Sequence, residues 1–283
     1  MKALFLYNPS SGHRLKDKKL AYIKNELLKT YDEVDLVIST SKEHFINECQ
    51  RAYGNYDALI FSGGDGTFNM VVNALKDSVN KPILGMIPSG RLNDSYKTFG
   101  VPKSIKKALK IIKEQNIEDV DTVSIDNHEF IFSFSVGAYS DIPYSTKCKK
   151  LGRFIYYLKA IPRLFKKIRI KGTLIDNDSK KEYHFETPFV LIMNGTYMGG
   201  FKINKDNSYN DGLVDIYLVK LGIFNGLLKY FFSRKKIPHY RLSNFTIYHD
   251  SEMDYDLDGE KVIKSNSVFH VNHHSIKVIT KRK

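Results

Sequence analysis

The stretch that most constrains the fold is Ser62-Gly63-Gly64-Asp65-Gly66-Thr67, because it separates a strand pattern from a helix pattern. The apolar run 56–61 before it is typical of a buried strand, and apolar residues recur at helical spacing from Phe68 to Leu75. The sequence therefore predicts a strand, a tight glycine turn and a helix that begins near Thr67. Because glycines let the backbone approach a ligand closely and the first turn of a helix attracts anions, phosphate is the expected ligand.

Asp65 is the unusual residue of this turn, since a carboxylate repels phosphate unless a cation or a transferable proton lies between them. Such a turn predicts phosphoryl chemistry with Mg²⁺ rather than passive anion binding. A tight turn between strand and helix that binds no ligand is the alternative interpretation.

Three further turns in the first 120 residues also follow apolar strand patterns. These turns are 8–12, 39–41 and 88–94. Strand and helix patterns alternate along this region, which predicts a parallel sheet covered by helices. Because the loops that leave the carboxyl ends of parallel strands converge, we expect Asn8, Thr40, Asp65 and Asn93 to lie around one ligand.

After about residue 118 the pattern changes to mostly short strands, which predicts a second domain of the antiparallel sandwich or barrel type. The predicted fold class is thus an α/β amino-terminal domain with a parallel sheet, followed by a β-rich sandwich domain. We expect the first domain to span residues 1–120 and the second to span 121–274.

The charge of the chain favours anionic partners, because 44 Lys and Arg residues face 31 acidic ones and give a formal net charge of +13. Two basic segments with interleaved apolar residues, 147–171 and 221–241, are predicted to be helical insertions. They suit an anionic membrane surface, and a core-packing helix with a solvated charged face explains them equally well. Nucleic acid is disfavoured, because no recognised nucleic-acid motif accompanies the charge.

The cysteines and the amino terminus bear on the cellular compartment. Cys49 and Cys148 are too few for a disulfide framework, which fits a reducing cytosol. No apolar stretch reaches the roughly 18–20 residues that span a bilayer, and the amino terminus lacks the apolar run of a signal peptide. We therefore expect a cytoplasmic protein that is soluble or peripheral to a membrane.

Two acidic motifs follow in the second half. Asp211 stands in a turn directly before a strand pattern; a hairpin is the ordinary interpretation, but this carboxylate with neighbouring carbonyls also suits Mg²⁺. Further along, Asp254, Asp256 and Asp258 would share one face of a strand. Their mutual repulsion indicates a bound cation or raised pKa values, with solubilisation of an edge strand as the alternative.

Five motifs together resemble the diacylglycerol kinase catalytic-domain family of soluble bacterial lipid kinases, which belongs to the same superfamily as NAD kinases. They are Asn8-Pro9-Ser10-Ser11-Gly12, Gly63-Gly64-Asp65-Gly66-Thr67-Phe68-Asn69, Ile87-Pro88-Ser89-Gly90 with Asn93-Asp94, Asp211-Gly212-Leu213-Val214-Asp215 and Leu257-Asp258-Gly259-Glu260. The glycine turn alone suits NAD kinases equally well, whereas the first and last motifs favour lipid kinases.

The resemblance implies that a final strand in 275–283 returns to complete the first domain, and that ATP and Mg²⁺ are the cofactors. The residues that it places around ATP are Asn8, Thr40, Gly63, Gly64, Asp65, Gly66, Thr67, Ser89, Gly90, Arg91 and Asn93. A second, structural Mg²⁺ is implied at the Asp-Gly-Leu turn. Its ligands would be Asp211 and carbonyls near Ser208 and Leu213.

The resemblance also implies the catalytic residues. Asp258 or Glu260 would be the general base that takes the proton of the lipid hydroxyl, and the choice between them stays open. Asp65 would be a third catalytic residue that helps to organise the metal–phosphate end of the site.

The predicted function is ATP- and Mg²⁺-dependent phosphorylation of the hydroxyl of diacylglycerol or a related lipid alcohol, by a cytoplasmic enzyme peripheral to the inner face of the membrane. The alternatives are a NAD-kinase-like phosphotransferase with a soluble acceptor and a catalytically silent nucleotide- or lipid-binding protein. Met70 and Arg91 motivate the silent alternative, because they stand where bacterial family members often have Glu and Thr. The sequence does not determine the acceptor lipid, and it leaves a homodimer open.

Overall fold

The structure, a computed structural model, describes most of the chain as two compact units. Unit 1 comprises Met1–Asp121, Tyr197–Phe201 and His274–Lys283, and unit 2 comprises Thr122–Thr196 and Lys202–His273. The described residues are 1–11, 14–90, 93–137, 170–198, 201–202, 204, 208–219, 238–257 and 260–282. At 198, 201, 219, 251–257 and 260–265 the description is confined to the backbone.

Unit 1 alternates strands and helices. Its elements up to residue 114 are β1 (Lys2–Tyr7), α1 (Asp17–Leu27), β2 (Glu33–Ile38), α2 (Lys42–Ala52), β3 (Ala58–Gly63), α3 (Asp65–Leu75), β4 (Ile83–Pro88), α4 (Asp94–Thr98) and α5 (Ile105–Glu114). Strand β1 pairs in parallel with β2 and β3, and β3 pairs in parallel with β4. This confirms the predicted α/β domain with a parallel sheet.

Helix α3 begins two residues earlier than the sequence predicted. The backbone N–H groups of Thr67 and Phe68 both donate to the Gly64 carbonyl, at 3.0 and 3.1 Å. Because these bonds already close the first turn, Asp65 and Gly66 belong to the helix rather than to the loop before it. The carboxylate of Asp65 therefore lies in the first helical turn.

Helices cover the sheet because its strands are apolar at successive positions. Ala3, Phe5 and Tyr7 of β1 share one core with apolar residues of α1 and α5. Helices α2 and α3 contact each other, and both contact β3. The strand residues from Ala3 to Tyr7 are at most 1% exposed, which is what a parallel sheet buried on both faces requires.

The register of unit 1 brings the carboxyl ends of its strands level. Tyr7 at the end of β1 lies opposite both Ile38 and Ser62, and Gly63 lies opposite Pro88. Beneath the loops that leave these ends, the rings of Phe61, Phe68 and Tyr96 pack at centroid distances of 5.2–6.4 Å. These rings pack the end of β3 against α3 and α4.

The later strands form the β-rich part of the chain. They are β5 (Ile117–Ile125), β6 (His128–Phe130), β7 (Ser133–Gly137), β8 (Ile170–Asp176), β9 (Glu182–Thr187), β10 (Phe189–Met193), β11 (Tyr197–Met198), β12 (Phe201–Lys202), β13 (Val214–Val219), β14 (His239–Leu242), β15 (Asn244–Leu257) and β16 (Glu260–Ile279). Hydrogen bonds join β14-β13-β10-β7-β15-β16 in that order, and β8 joins β9 to β15. The pairs in unit 2 are antiparallel, and the predicted β-rich carboxy-terminal region is confirmed.

Unit 2 has its own apolar core, and β15 connects its strands. The first half of β15 pairs with β8, its second half pairs with β7, and β16 pairs along its other edge. Alternate residues such as Phe134, Val190, Ile216, Phe245 and Phe269 point into one core and are at most 1% exposed. This period-two burial is the signature of a sheet with one buried face.

The two basic segments fall mainly on residues 138–169 and 220–237, which lie outside the described residues. Their described ends are strands rather than helix: Ile170 and Lys171 begin β8, and His239 to Arg241 lie in β14. The helix prediction is therefore wrong for 170–171 and 239–241. Among the described helices, none is both long enough and apolar enough to cross a membrane.

The last strand of the chain contributes its end to unit 1. Val278 pairs in parallel with Leu84 of β4, so the segment extends the parallel sheet. The backbone N–H of Thr280 donates to the carbonyl of Asn116 at 2.9 Å, and that of Lys281 donates to the carbonyl of Phe99 at 3.0 Å. Residues from opposite ends of the chain thus build one sheet.

Candidate functional site

Two loops cross at the carboxyl edge of the sheet in unit 1, and they touch at Gly64 and Gly90. A Cβ added to Gly90 would lie 2.4 Å from the Cα of Gly64, and one added to Gly64 would lie 3.0 Å from the Cα of Gly90. The N–H groups of Ser89 and Gly90 both donate to the Gly63 carbonyl, at 2.8 and 2.9 Å. Because backbone cannot retreat as a flexible side chain can, this crossing requires glycine.

The first turn of α3 opens beside this crossing. Gly66 is exposed, and a Cβ built on it would meet nothing within 4 Å. The N–H groups of Asp65 and Gly66 precede the first donor of the helix, Thr67. Two N–H groups and the positive end of the helix dipole therefore lie beside an exposed glycine, an arrangement typical of phosphate sites.

Asparagine side chains line the same place. Asn8 donates through Nδ2 to the Thr67 hydroxyl at 3.3 Å, and Asn93, in the left-handed conformation at φ 54°, donates to the Gly90 carbonyl at 2.9 Å. The other amide atom of Asn93, Oδ1, is buried and accepts no hydrogen bond from the described residues. An acceptor without a donor fits a ligand that carries hydroxyl or amino groups, as the ribose and adenine of a nucleotide do.

Apart from Asp65, the predicted nucleotide residues fall into three groups. Those that the structure brings together at the crossing are Asn8, Gly63, Gly64, Thr67, Ser89, Gly90 and Asn93, with Gly66 on the adjacent helical turn. Thr40 follows the neighbouring β2, is exposed, and has its hydroxyl 3.0 Å from Nδ1 of His44. Arg91 lies outside the described residues, and Met70 is a partly buried residue of α3.

Asp65 makes a contact that the sequence did not indicate. Its Oδ1 accepts hydrogen bonds from the backbone N–H of Ser95 at 2.9 Å and from the Ser95 hydroxyl at 2.6 Å. Ser95 is fully buried in the first turn of α4. The carboxylate therefore ties the start of α3 to the start of α4 and holds the loop that carries Gly90 and Asn93.

The ionisation of Asp65 is opposed by its surroundings. Burial raises the pKa of its carboxyl above the usual value, the neighbouring Asp94 raises it further, and the hydrogen bonds from Ser95 lower it. Since burial is the largest of these effects, a charged Asp65 costs folding free energy that a neutral acceptor would not. Such a cost is typical of functional carboxylates.

The variant Asp65→Asn is expected not to lower the free energy of unfolding at neutral pH. The new amide keeps an acceptor for Ser95 and removes the buried charge. Because the pKa of Asp65 is higher in the folded than in the unfolded state, the wild-type protein loses stability as the pH rises through the folded pKa. The amide of Asp65→Asn does not titrate, so the stability advantage of the variant over the wild type should grow toward neutral pH. Urea denaturation at a series of pH values measures this difference.

Serine variants provide the contrast for this measurement. Ser95→Ala is expected to lower the free energy of unfolding by about 1–2 kcal/mol, because it removes a hydrogen bond to a carboxylate. Ser62→Ala is the matched control, since Ser62 is equally buried but its hydroxyl donates to the neutral hydroxyl of Ser89, at 3.3 Å, rather than to a carboxylate. If the stability advantage of Asp65→Asn over the wild type shrinks as the pH rises, the raised pKa of Asp65 is contradicted.

The predicted structural Mg²⁺ site at Asp211 contains other partners. Asp211 Oδ1 accepts the backbone N–H of Leu213 at 3.1 Å, and its Oδ2 accepts a hydrogen bond from the guanidinium of Arg241. The Ser208 hydroxyl donates to Asn210 Oδ1 at 2.7 Å. Because both carboxylate oxygens are hydrogen-bonded and a fixed positive charge lies against one of them, this donor set does not fit Mg²⁺.

The structure does not describe the side chain of either candidate for the general base. Asp258 lies outside the described residues, and Glu260 is the first residue of β16, where the description is confined to the backbone. The assignment of the base to Asp258 or Glu260 therefore stays a prediction.

Comparison with known proteins gives the family. The family model described as the diacylglycerol kinase catalytic domain matches residues 2–125. Diacylglycerol kinases of Staphylococcus aureus strains JH9 and NCTC 8325 are each 30% identical to the chain over 223 residues, which cover 77% of this chain and 70% of theirs. The chain belongs to the diacylglycerol kinase catalytic-domain family. The crystal structure of a diacylglycerol kinase from Bacillus anthracis strain Sterne, 24% identical, has the same fold, with a TM-score of 0.86 over 99% of this chain and 97% of that one.

Membership in the diacylglycerol kinase family confirms two predictions made from the sequence. The five motifs indicated this family, and they indicated a lipid kinase enzyme. The family model covers β1 to β5, the part of the chain that contains the glycine crossing and the Asp65–Ser95 bonds. The roles of individual residues remain proposals.

Proposed function

We propose that the protein transfers the γ-phosphoryl group of ATP to the hydroxyl of diacylglycerol or a related lipid alcohol. One observation carries the proposal: the backbones of Gly64 and Gly90 cross in contact beside the open first turn of α3. This arrangement presents N–H groups to a phosphate chain without side chains in between. The names of the relatives support diacylglycerol as the acceptor class.

Each part of the site has a distinct role in this proposal. The crossing and the first turn of α3 hold the phosphates, and Asn8 and Asn93 orient the nucleotide. Asp65 positions the Gly90 loop through Ser95. Asp258 or Glu260 accepts the proton of the attacking hydroxyl. Mg²⁺, when bound with ATP, supplies charge neutralisation of the phosphoryl group in transfer.

Transfer of radiolabelled γ-phosphate to a panel of micellar lipid alcohols tests the proposal. Diacylglycerol or a close relative should be labelled in the presence of ATP and Mg²⁺, and NAD serves as the soluble acceptor. Labelling of NAD instead would support the NAD-kinase-like alternative. Absence of transfer to every acceptor, with no effect of Asp65→Asn on nucleotide binding, would support the catalytically silent alternative and overturn the kinase proposal.

We further propose that the enzyme acts from the cytoplasm as a peripheral protein at the inner face of the membrane. The net charge of +13 and the basic segments within 147–171 and 221–241 support this location, because anionic lipid attracts such segments. The membrane is where a diacylglycerol substrate resides. A homodimer remains a prediction that a measurement of mass in solution would test.

Binding to anionic vesicles is expected to depend on salt. The protein should sediment with vesicles that contain phosphatidylserine at low ionic strength and be released at about 1 M salt, where the screening length falls to about 3 Å. Vesicles of phosphatidylcholine alone are the control, since they lack the negative surface charge. Equal binding to both kinds of vesicle at high salt would contradict an electrostatic attachment.

A further inference from the structure

The turn between Asp211 and Asp215 in unit 2 is held by a side chain from the neighbouring strand. Strands β13 and β14 are antiparallel, and their register places Asp215 directly opposite Arg241. The guanidinium of Arg241 donates through Nη2 to Asp211, and its Nε lies 3.5 Å from Oδ1 of Asp215. One cation therefore contacts both carboxylates of the Asp-Gly-Leu-Val-Asp motif.

The other groups around the motif satisfy the remaining oxygen of Asp215. Asp215 has a side chain only 5% exposed, and its Oδ2 accepts a hydrogen bond from the amide of Asn204 at 2.6 Å. Its Oδ1 also lies 2.5 Å from Nε2 of His239, whose ring stacks on Tyr217. A buried carboxylate needs such partners, since burying an unpaired charge is costly.

The arrangement performs the task that a structural divalent cation would perform. It places one positive charge against both Asp211 and Asp215 and so links the two ends of the turn, in which Gly212 has φ +75°. A divalent ion on Asp211 would have to displace the guanidinium or lie against it, and like charges in contact repel. A planar guanidinium suits this position because it reaches two carboxylates at once.

We infer that Arg241 is the resident cation of the Asp211–Asp215 turn and that unit 2 folds without a divalent metal there. This inference concerns the stability of unit 2, and it does not depend on whether ATP, lipid or another molecule is the substrate. The inference does not concern a metal ion that binds together with the nucleotide in unit 1.

Thermal unfolding of the full chain, without nucleotide, tests the inference. Wild-type protein should unfold at the same temperature in EDTA and in MgCl₂ at matched ionic strength. Arg241→Gln should unfold about 2–4 °C lower in EDTA, because Asp211 then loses its charged partner and Asp215 keeps only Asn204 and His239. Added Mg²⁺ should restore part of that loss, since the vacated carboxylates become a metal site.

Arg51→Gln is the matched control. Arg51 is as exposed as Arg241, at 44% against 42% of the side chain, and pairs with Glu48 in unit 1. It should show no recovery with Mg²⁺. The inference would be overturned if Mg²⁺ raised the unfolding temperature of the wild type but not that of Asp211→Asn. It would also be overturned if Arg241→Gln unfolded at the same temperature as the wild type in EDTA.

A second measurement applies even if Arg241→Gln does not fold. Electron paramagnetic resonance measures Mn²⁺ binding in the absence of nucleotide. The wild-type chain and Asp211→Asn should bind the same number of Mn²⁺ ions. One bound ion fewer in Asp211→Asn would show that the turn takes a metal and would overturn the inference.

Discussion

One of the two variants Asp258→Asn and Glu260→Gln is expected to lose phosphoryl transfer by about 10²–10⁴-fold, while the other keeps a rate near that of the wild type. The loss should appear in kcat, because a general base acts on the proton in the transition state rather than on substrate binding. Initial rates at saturating ATP, with micellar diacylglycerol as acceptor, measure it.

The pH dependence identifies the base among the two. The variant that lacks the base should lose the acidic limb of the pH–rate profile, because that limb reports protonation of the base. Asp250→Asn is the control, since Asp250 is an exposed carboxylate of β15, outside the proposed site. Wild-type rates in both variants would contradict the assignment of the base to this motif.

The variant Gly90→Ala is expected to lower kcat/KM by about 100-fold. The added methyl group would lie 2.4 Å from the Cα of Gly64 and 2.5 Å from Oδ1 of Asn93. At that distance the two loops must separate, and a displacement of about 1 Å of positioning groups costs on this order. Titration with a fluorescent ATP analogue and steady-state rates should show weakened nucleotide binding together with the loss of rate.

Gly54→Ala separates this effect from a general loss of stability. Gly54 lies in an exposed turn of unit 1 at φ +70°, where a Cβ meets nothing within 4 Å. Alanine is strained there and costs about 1 kcal/mol of stability, but it leaves the crossing intact. Gly90→Ala with nucleotide affinity equal to that of Gly54→Ala would show that the crossing does not hold the nucleotide.

The sequence predicted the parts of the fold that depend on local pattern. The continuous apolar runs of β1 and β3 indicated strands buried on both faces, and the loops after them were expected to converge, as Asn8 and Thr67 do. The change to short strands after residue 118 indicated the β-rich region. These features were predictable because each depends on residues close together in the chain.

Contacts between distant residues were not predictable in this way. Asp65 and Ser95 are 30 positions apart, as are Asp211 and Arg241, and no local pattern marks either pair. Each carboxylate was interpreted as facing a metal, and the contacts with Ser95 and Arg241 were not anticipated. The pairing of β13 with β14 places Arg241 opposite Asp215. That register was not predictable from the sequence, because it depends on the surrounding sheet.

The parallel sheet of unit 1 has a consequence for biosynthesis. Its strand beside β4 comes from His274–Lys283, so this pairing of β4 forms only after the residues of unit 2 have been synthesised. Unit 2 lies between the two portions in sequence and has all its strands earlier. The sheet that carries the glycine crossing therefore gains this pairing only after unit 2 has been synthesised, although the crossing itself is encoded in the first hundred residues.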